Sequence, residues 1–246
     1  VPEFFYGMEQ APNGDVWIGS SVGPIVIPHT MDFMKSTQCR RLRIPVANEN
    51  YLLETERVNA FAFDNNNEIW IGTAQSGIYV LDALLNAENY NTSGYIPQGV
   101  DVTPTQNYTH RTLHRIAVNP QTDDVAFVQS KKSQLWVANP DNLNAAATNI
   151  GQNTYASSLC YDADGALYIF GYEAPEDVQY HKTNAIIYKK VGNNERQEFA
   201  TIDVWESLNE RNSMASDARG GLWIVSKFVG NENQYGEFFH VNQEGE

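Results

Sequence analysis

The chain has 246 residues, of which 42% are hydrophobic and 19% charged, with a formal net charge of −14. This is too apolar for a disordered chain and too poor in charge for a helical bundle, and so acidic a surface argues against nucleic acid as a partner. No run of 18 apolar residues occurs, so no transmembrane segment is expected, and two cysteines, Cys39 and Cys160, are too few for a disulfide framework.

In chain order, the first strand with a distinctive pattern is Val16-Trp17-Ile18-Gly19-Ser20, entered through Gly14-Asp15. A third strand, Gly23 to Ile27, and a polar fourth, Arg40 to Ile44, follow it. The pattern then returns. Val58 to Phe63 reads as an apolar strand, Asp64 to Asn67 as a turn, and Glu68-Ile69-Trp70-Ile71-Gly72-Thr73 as the aromatic strand. Gly77 to Leu81 and Asn107 to Leu113 are the expected third and fourth strands of this unit. A decayed copy, Asp124-Val125-Ala126-Phe127-Val128, has Ala126 where the others have an aromatic, with Gln134 to Ala138 and Ala147 to Ile150 after it. The fourth copy holds Leu167-Tyr168-Ile169-Phe170, then Asn184 to Lys189 and Glu198 to Asp203. The fifth holds Leu222-Trp223-Ile224-Val225, then Glu237 to Val241.

From Trp17 to Trp70, Ala126, Tyr168 and Trp223 the steps are 53, 56, 42 and 55 residues. Such periods suit propeller blades of four short antiparallel strands. Asp64, Asp162 and Asp217 each stand six residues before their aromatic, where Asp can bond the backbone of a tight turn. Helix signals are confined to Asp82 to Glu88 and Asp141 to Ala147, both in connections, so a parallel α/β sheet is excluded. The predicted fold is an all-β single-domain β-propeller with blades at about 1–45, 46–112, 113–150, 151–204 and 205–246. The sequence begins at an innermost strand and stops after a third strand, so a piece of a longer polypeptide, or a ring closed without that outer strand, is expected.

Asp64 to Tyr79, with its D-x5-W-I-G-T-x3-G-I-Y pattern, resembles the two-component regulator propeller repeat of bacterial hybrid sensor kinases. A wider stretch is similar to the PorZ-like propeller proteins of type IX secretion in Bacteroidota. It comprises Gly7-Met8, Gln10 to Gly19, Gly23-Pro24-Ile25-Val26, Arg41 to Pro45, Tyr51 to Glu54 and the Trp70 blade. The resemblance covers about residues 1–85. It implies a propeller in the periplasm or on the cell surface, acting as a binding part of a larger protein in contact with a partner protein or an anionic lipopolysaccharide. It supplies no catalytic motif. The lost aromatic of the third blade and an insertion at Tyr172 to Thr183 depart from it.

Trp17, Trp70, Tyr168 and Trp223 hold one repeat position, so packing between neighbouring blades explains them better than a sugar-stacking platform does. Trp136 and Trp205 break the repeat and are the fairer candidates for ligand contact, although packing is the better reading there too. Asp64-x-Asn66-x-Glu68 has alternating oxygen ligands, but the bidentate Glu of a calcium hand is replaced by Gln75, and a turn suffices to explain it. His110 and His114 lie four apart in a strand region with no ligand frame around them. No nucleophile elbow or Cys–His signature appears, and no catalytic residue, metal or cofactor is expected. The one basic cluster, Lys35, Arg40, Arg41 and Arg43, offers paired donors to an anionic glycan. Charge that blocks edge-to-edge pairing of an outer strand is its plainer explanation. The leading expectation is a non-enzymatic binding module of a cell-envelope protein. The alternatives are a ligand-sensing propeller of a two-component system and a propeller lyase or lactonase.

Overall fold

A computed structural model describes residues 5–30, 40–41, 57–74, 78–82, 93–95, 113–129, 134–140, 148–149, 154–173, 182–191, 195–205, 213–229 and 234–246. Among them every regular element of more than one turn is a strand, and the strands form five antiparallel sheets. The first sheet orders β1 (Phe5–Gln10), β2 (Val16–Ser20), β3 (Gly23–Ile27) and β4 (Arg40–Arg41) side by side. The second holds β5 (Val58–Phe63), β6 (Glu68–Thr73), β7 (Ile78–Asp82) and β8 (Ser93–Tyr95). The third holds β9 (Leu113–Val118), β10 (Val125–Gln129), β11 (Gln134–Ala138) and β12 (Thr148–Asn149). The fourth holds β13 (Thr154–Tyr161), β14 (Leu167–Glu173), β15 (Lys182–Lys190) and β16 (Arg196–Trp205). The fifth has three described strands, β17 (Ser213–Ser216), β18 (Leu222–Val229) and β19 (Gln234–Val241). Each sheet is a meander in chain order, the blade expected from the repeat.

Several strands differ from expectation. The fourth strand of the second blade is Ser93–Tyr95, paired with Ile78, Tyr79 and Val80, and not Asn107 to Leu113. Leu113 instead opens the third blade. Ser93-Gly94-Tyr95 is too short to show an apolar alternation, whereas Asn107 to Leu113 adjoins a true strand. Of the insertion expected at Tyr172 to Thr183, Tyr172 and Glu173 complete β14 and Lys182 and Thr183 open β15, and residues 174–181 lie outside the described residues. Trp205 ends the outer strand β16. Residues 83–88 and 141–147, where helical turns were expected, lie outside the described residues.

The chain divides into two compact units, residues 1–116 with 140–146, and residues 117–139 with 147–246. The first carries blades one and two. The second carries most of blade three and all of blades four and five.

One turn is used throughout. In blade two the Asp64 amide donates to the Glu68 carbonyl, the Asn67 amide donates to the Asp64 carbonyl, and Asn67 has φ +59°. This is a type I turn closed by a left-handed residue, the three-residue hairpin loop. Ala11 to Asp15, Asp162 to Ala166 and Asp217 to Gly221 repeat both bonds, with Gly14, Gly165 and Gly220 left-handed. Blade three spends one more residue, from Asn119 to Asp124, with Asp123 at φ +65°.

The aspartate at the head of the turn reaches forward as well. Asp64 accepts from the Glu68 amide at 2.8 Å with one oxygen and from the Trp70 indole Nε1 at 2.9 Å with the other. Its carboxylate thus ties the turn to the aromatic strand that follows it. Trp17 has Ala11 at that position, and among the described residues its buried Nε1 has no hydrogen-bond partner.

Packing between neighbouring blades also repeats. Trp17 meets Phe61 and Phe63 of the next blade edge-on, with ring centroids 5.9 and 6.1 Å apart. Gly19, the glycine of the W-I-G motif, lets the backbones close, because a Cβ there would run into the Val58 carbonyl oxygen. In the second unit Tyr168 and Phe170 share a core with Met214, Leu222 and Ile224 of the next blade. Ala126, where the aromatic is lost, is buried among Leu135, Leu159, Ile169 and Tyr188. First strands are joined by side chains as well: Ser158 Oγ accepts from the Met214 amide at 3.0 Å, and Ser216 Oγ donates to the Tyr161 carbonyl at 2.8 Å.

The substitution Ala11→Asp supplies the acceptor that Trp17 lacks and should raise stability by about 1 kcal/mol, whereas Asp64→Ala should cost about 2–3 kcal/mol. Urea unfolding followed by tryptophan fluorescence measures both. A loss of stability on Ala11→Asp would show that the turn does not reach Trp17.

Candidate functional site

The four repeat aromatics do not share one environment. Trp17, Trp70 and Tyr168 are buried at 1%, 0% and 3% exposure, but Trp223 is 40% exposed. Strand geometry explains which surface it joins. Leu222 and Ile224 point into the core shared with blade four, so the alternate residues Trp223 and Val225 lie on the other face of the sheet. Their cross-strand partners on β19 are His240 and Phe238. Trp223 stacks on Phe238 at 5.0 Å and 27°, and lies 4.3 Å from the His240 ring. Val225 and Phe238 are exposed too.

Two turns flank this apolar surface. In the first, Asp217 Oδ1 accepts from the Arg219 amide at 2.7 Å and the Gly221 amide at 2.9 Å, while Oδ2 lies 3.0 Å from His240 Nε2. Gly221 leaves room for that pair, since a Cβ there would stand 2.8 Å from His240 Nε2 and 2.9 Å from Asp217 Oδ2. Where Asp64 spends its second oxygen on an indole, Asp217 spends it on an imidazole. In the second turn Asn242 Oδ1 accepts from the Glu244 and Glu246 amides at 3.1 and 2.8 Å. Between them lies an open cleft of about 590 Å³, lined by Asp217, Arg219, Trp223, His240, Gln243 and Glu244 among others. The cleft thus sets polar groups around an apolar aromatic centre. His240 and the amides at Arg219 and Gly221 hold the Asp217 carboxyl below its ordinary value of 3.8, slightly opposed by desolvation.

The remaining sequence candidates are placed as follows. The backbones of Arg40 and Arg41 form β4, paired with Val26 and Ile25. Arg43 and Lys35 lie outside the described residues, as does His110. His114 lies in β9. Trp136 is not a surface residue: it is buried in mid-β11, opposite Phe127 and Asn149. Both oxygens of Asp64 are used within its own hairpin, which favours the turn over the calcium loop. Burial, with the nearby Asp162 adding to it, pushes the Cys160 thiol up to about 12, so it is no nucleophile at neutral pH. Among the described residues no three His, Cys, Asp or Glu side chains gather closely enough to hold a metal ion. No helix among them is long and apolar enough to cross a membrane.

The exposed Trp223 face was not legible in the repeat, because the same repeat position is buried in Trp17, Trp70 and Tyr168. The signal that was present is local. His240 stands across from Trp223, where the partners of Trp17 and Trp70 are Val26 and Val80.

Residues 52–75 match the family described as "Two component regulator propeller". A search of the curated proteins finds no match. Among solved structures the chain is similar to a gluconolactonase from Xanthomonas campestris at 12% identity and TM-score 0.62, covering 98% of this chain and 73% of that one. It is similar to a protein of unknown function from Bacteroides caccae at 9% identity and TM-score 0.60, covering 98% and 78%. A chain of a nidogen/laminin complex matches at 12% identity and TM-score 0.57, covering 94% and 79%. At these identities the likeness is one of fold, and the fold is a β-propeller.

Because the Asp217 carboxyl is stabilised in its charged form in the folded state, its contribution to stability is complete above its ordinary value of 3.8 and is lost as pH falls through the lower folded value. Asp217→Asn should therefore flatten the fall of melting temperature between about pH 5 and pH 2. Parallel acid limbs for the two proteins would contradict that role.

Proposed function

We propose that the protein is a non-enzymatic binding module of a bacterial cell-envelope protein, of the PorZ-like kind, working in the periplasm or on the cell surface. The observation that carries this reading is the structural use of the reactive side chains. Asp64, Asp162 and Asp217, the repeated carboxylates, each brace a hairpin turn, and the Cys160 thiol is buried and held protonated. Loops carried on a scaffold of packed strands are the usual setting for recognition.

Its ligand is a partner protein or an anionic glycan, and the glycan is taken at the basic strand of blade one through Arg40, Arg41 and Arg43. The pairing of Arg40 and Arg41 as the fourth strand of a blade supports this, since it places two consecutive guanidinium-bearing residues on an outer strand of an acidic protein. Replacing the three arginines with serine should weaken binding to acidic polysaccharide about tenfold or more, as loss of bidentate charged contacts does, with little change in melting temperature. A glycan array on the unmodified protein comes first, and no binding to any acidic glycan there removes this ligand.

The match over residues 52–75 favours one second reading, an extracellular propeller that senses a ligand for a two-component system. A histidine-kinase or DNA-binding region encoded downstream in the same reading frame would select it over the envelope module.

A further inference from the structure

In blade four Lys190 closes β15 and Arg196 opens β16. The turn between them is held by the Val191 amide, which donates to the Glu195 carbonyl. Lys190 and Arg196 stand directly opposite each other in the ladder. Directly opposed side chains on antiparallel strands have Cβ atoms about 5 Å apart, and like charges there repel. The chain has 30 Asp and Glu against 16 Lys and Arg, so carboxylates to neutralise such a pair are plentiful. Yet among the described residues neither Lys190 nor Arg196 makes an ion pair. Glu198, two residues beyond Arg196 on the same strand, accepts with its carboxylate from the Thr201 hydroxyl at 2.6 Å.

Arg196 is nevertheless held in one place. Its guanidinium carbon lies 4.3 Å from the centroid of the Tyr188 ring. Tyr188 is itself fixed, 9% exposed in one core with Ala126, Leu135 and Ile169. The stacked guanidinium has therefore lost much of its rotamer freedom before any ligand arrives. One of its nitrogens, Nη1, is buried and has no hydrogen-bond partner among the described residues. Both Lys190 and Arg196 are half-buried. Lys189 is not part of the pair. It alternates to the other face of the sheet, where its Nζ lies 5.2 Å from the centroid of the Tyr168 ring. Two opposed cations, one pinned on an aromatic ring and neither neutralised, leave a place for a negative group between them.

We propose that Lys190 and Arg196 bind a phosphate group, free or as a monoester, at the end of the β15–β16 hairpin. Phosphate suits both side chains. Arg offers it paired N–H donors in a planar fork, and Lys offers it a point charge. A phosphate group carries a charge of about −2 near neutral pH, which offsets both cations at once, as a single carboxylate does not. The site lies within one compact unit, residues 117–139 with 147–246, and shares no residue with the arginine strand of blade one. It therefore stands whether or not that strand takes a glycan.

The test is isothermal titration calorimetry with inorganic phosphate and with glycerol 3-phosphate, at matched ionic strength, on the unmodified chain and on Lys190→Gln and Arg196→Gln. The unmodified chain should bind phosphate, and each variant should weaken that binding about tenfold or more. Tighter binding of the ester assigns the site to a phosphorylated molecule, and equal or weaker binding assigns it to free phosphate. Melting curves supply a second readout and show that the variants fold. Without phosphate, Lys190→Gln should melt at a higher temperature than the unmodified chain, because the repulsion across the hairpin is gone. Added phosphate should then close the gap, since it stabilises the unmodified chain more. Absence of phosphate binding, binding undiminished in Lys190→Gln, or a melting temperature that Lys190→Gln lowers in the absence of phosphate would each overturn the proposal.

Discussion

The edge-on contact of Phe61 and Phe63 with Trp17 is the interaction on which the blades depend. A four-stranded meander has two faces, and its inner strands here are apolar on both. Ile69, Trp70 and Ile71 are consecutive and all buried, which a sheet with one wet face would not allow. Each blade therefore needs cover on both sides. A bulky side chain on the first strand of the following blade provides it. Burial of a large aromatic removes on the order of 150–250 Å² from water, which at about 25 cal/mol per Å² outweighs any single hydrogen bond in the blade.

The hairpin turns make that contact reproducible. A left-handed residue closes each turn, and the side chain at its head accepts from amides that follow, as Asp in the second, fourth and fifth blades and as Asn119 in the third. This fixes where the first strand ends and where the aromatic strand begins, so a side chain three residues before the turn and one six residues after it keep constant places. Glycine serves the same end at Gly7 and Gly19, where any Cβ would meet backbone of the neighbouring strand β5. Variation is then tolerated within the frame. Ala126 replaces an aromatic and is still fully covered, and an imidazole takes the place of an indole at Asp217.

Much of this was legible in the sequence because it is periodic. The W-I-G strands, the six-residue offset of Asp64, Asp162 and Asp217, and the third strand at Gly23–Ile27 were read correctly. Outer strands were read less well. Ser93–Tyr95 has three residues and no alternation, so the stronger pattern of β9 drew the fourth strand toward Leu113. Packing was correctly preferred for Trp17, Trp70 and Tyr168, whose neighbours belong to the same repeat. It fails for Trp223, which is exposed at the repeat position that is buried in those three. Packing, the preferred reading for the off-repeat Trp136 as well, holds there, because β11 is an inner strand of its sheet. In the basic cluster Arg40 and Arg41 form the fourth strand of their blade, where the sequence put them.

The packing of one blade's first strand on the aromatic of the blade before it can be measured most directly by a double-mutant cycle on Trp17→Leu and Phe61→Leu, read by urea unfolding. If the two rings form a specific contact, the double variant should be more stable than the sum of the single losses predicts, by about 0.5–1.5 kcal/mol. Strictly additive losses would mean that the blades are held by general burial alone, and that the shared register does not determine which side chains meet.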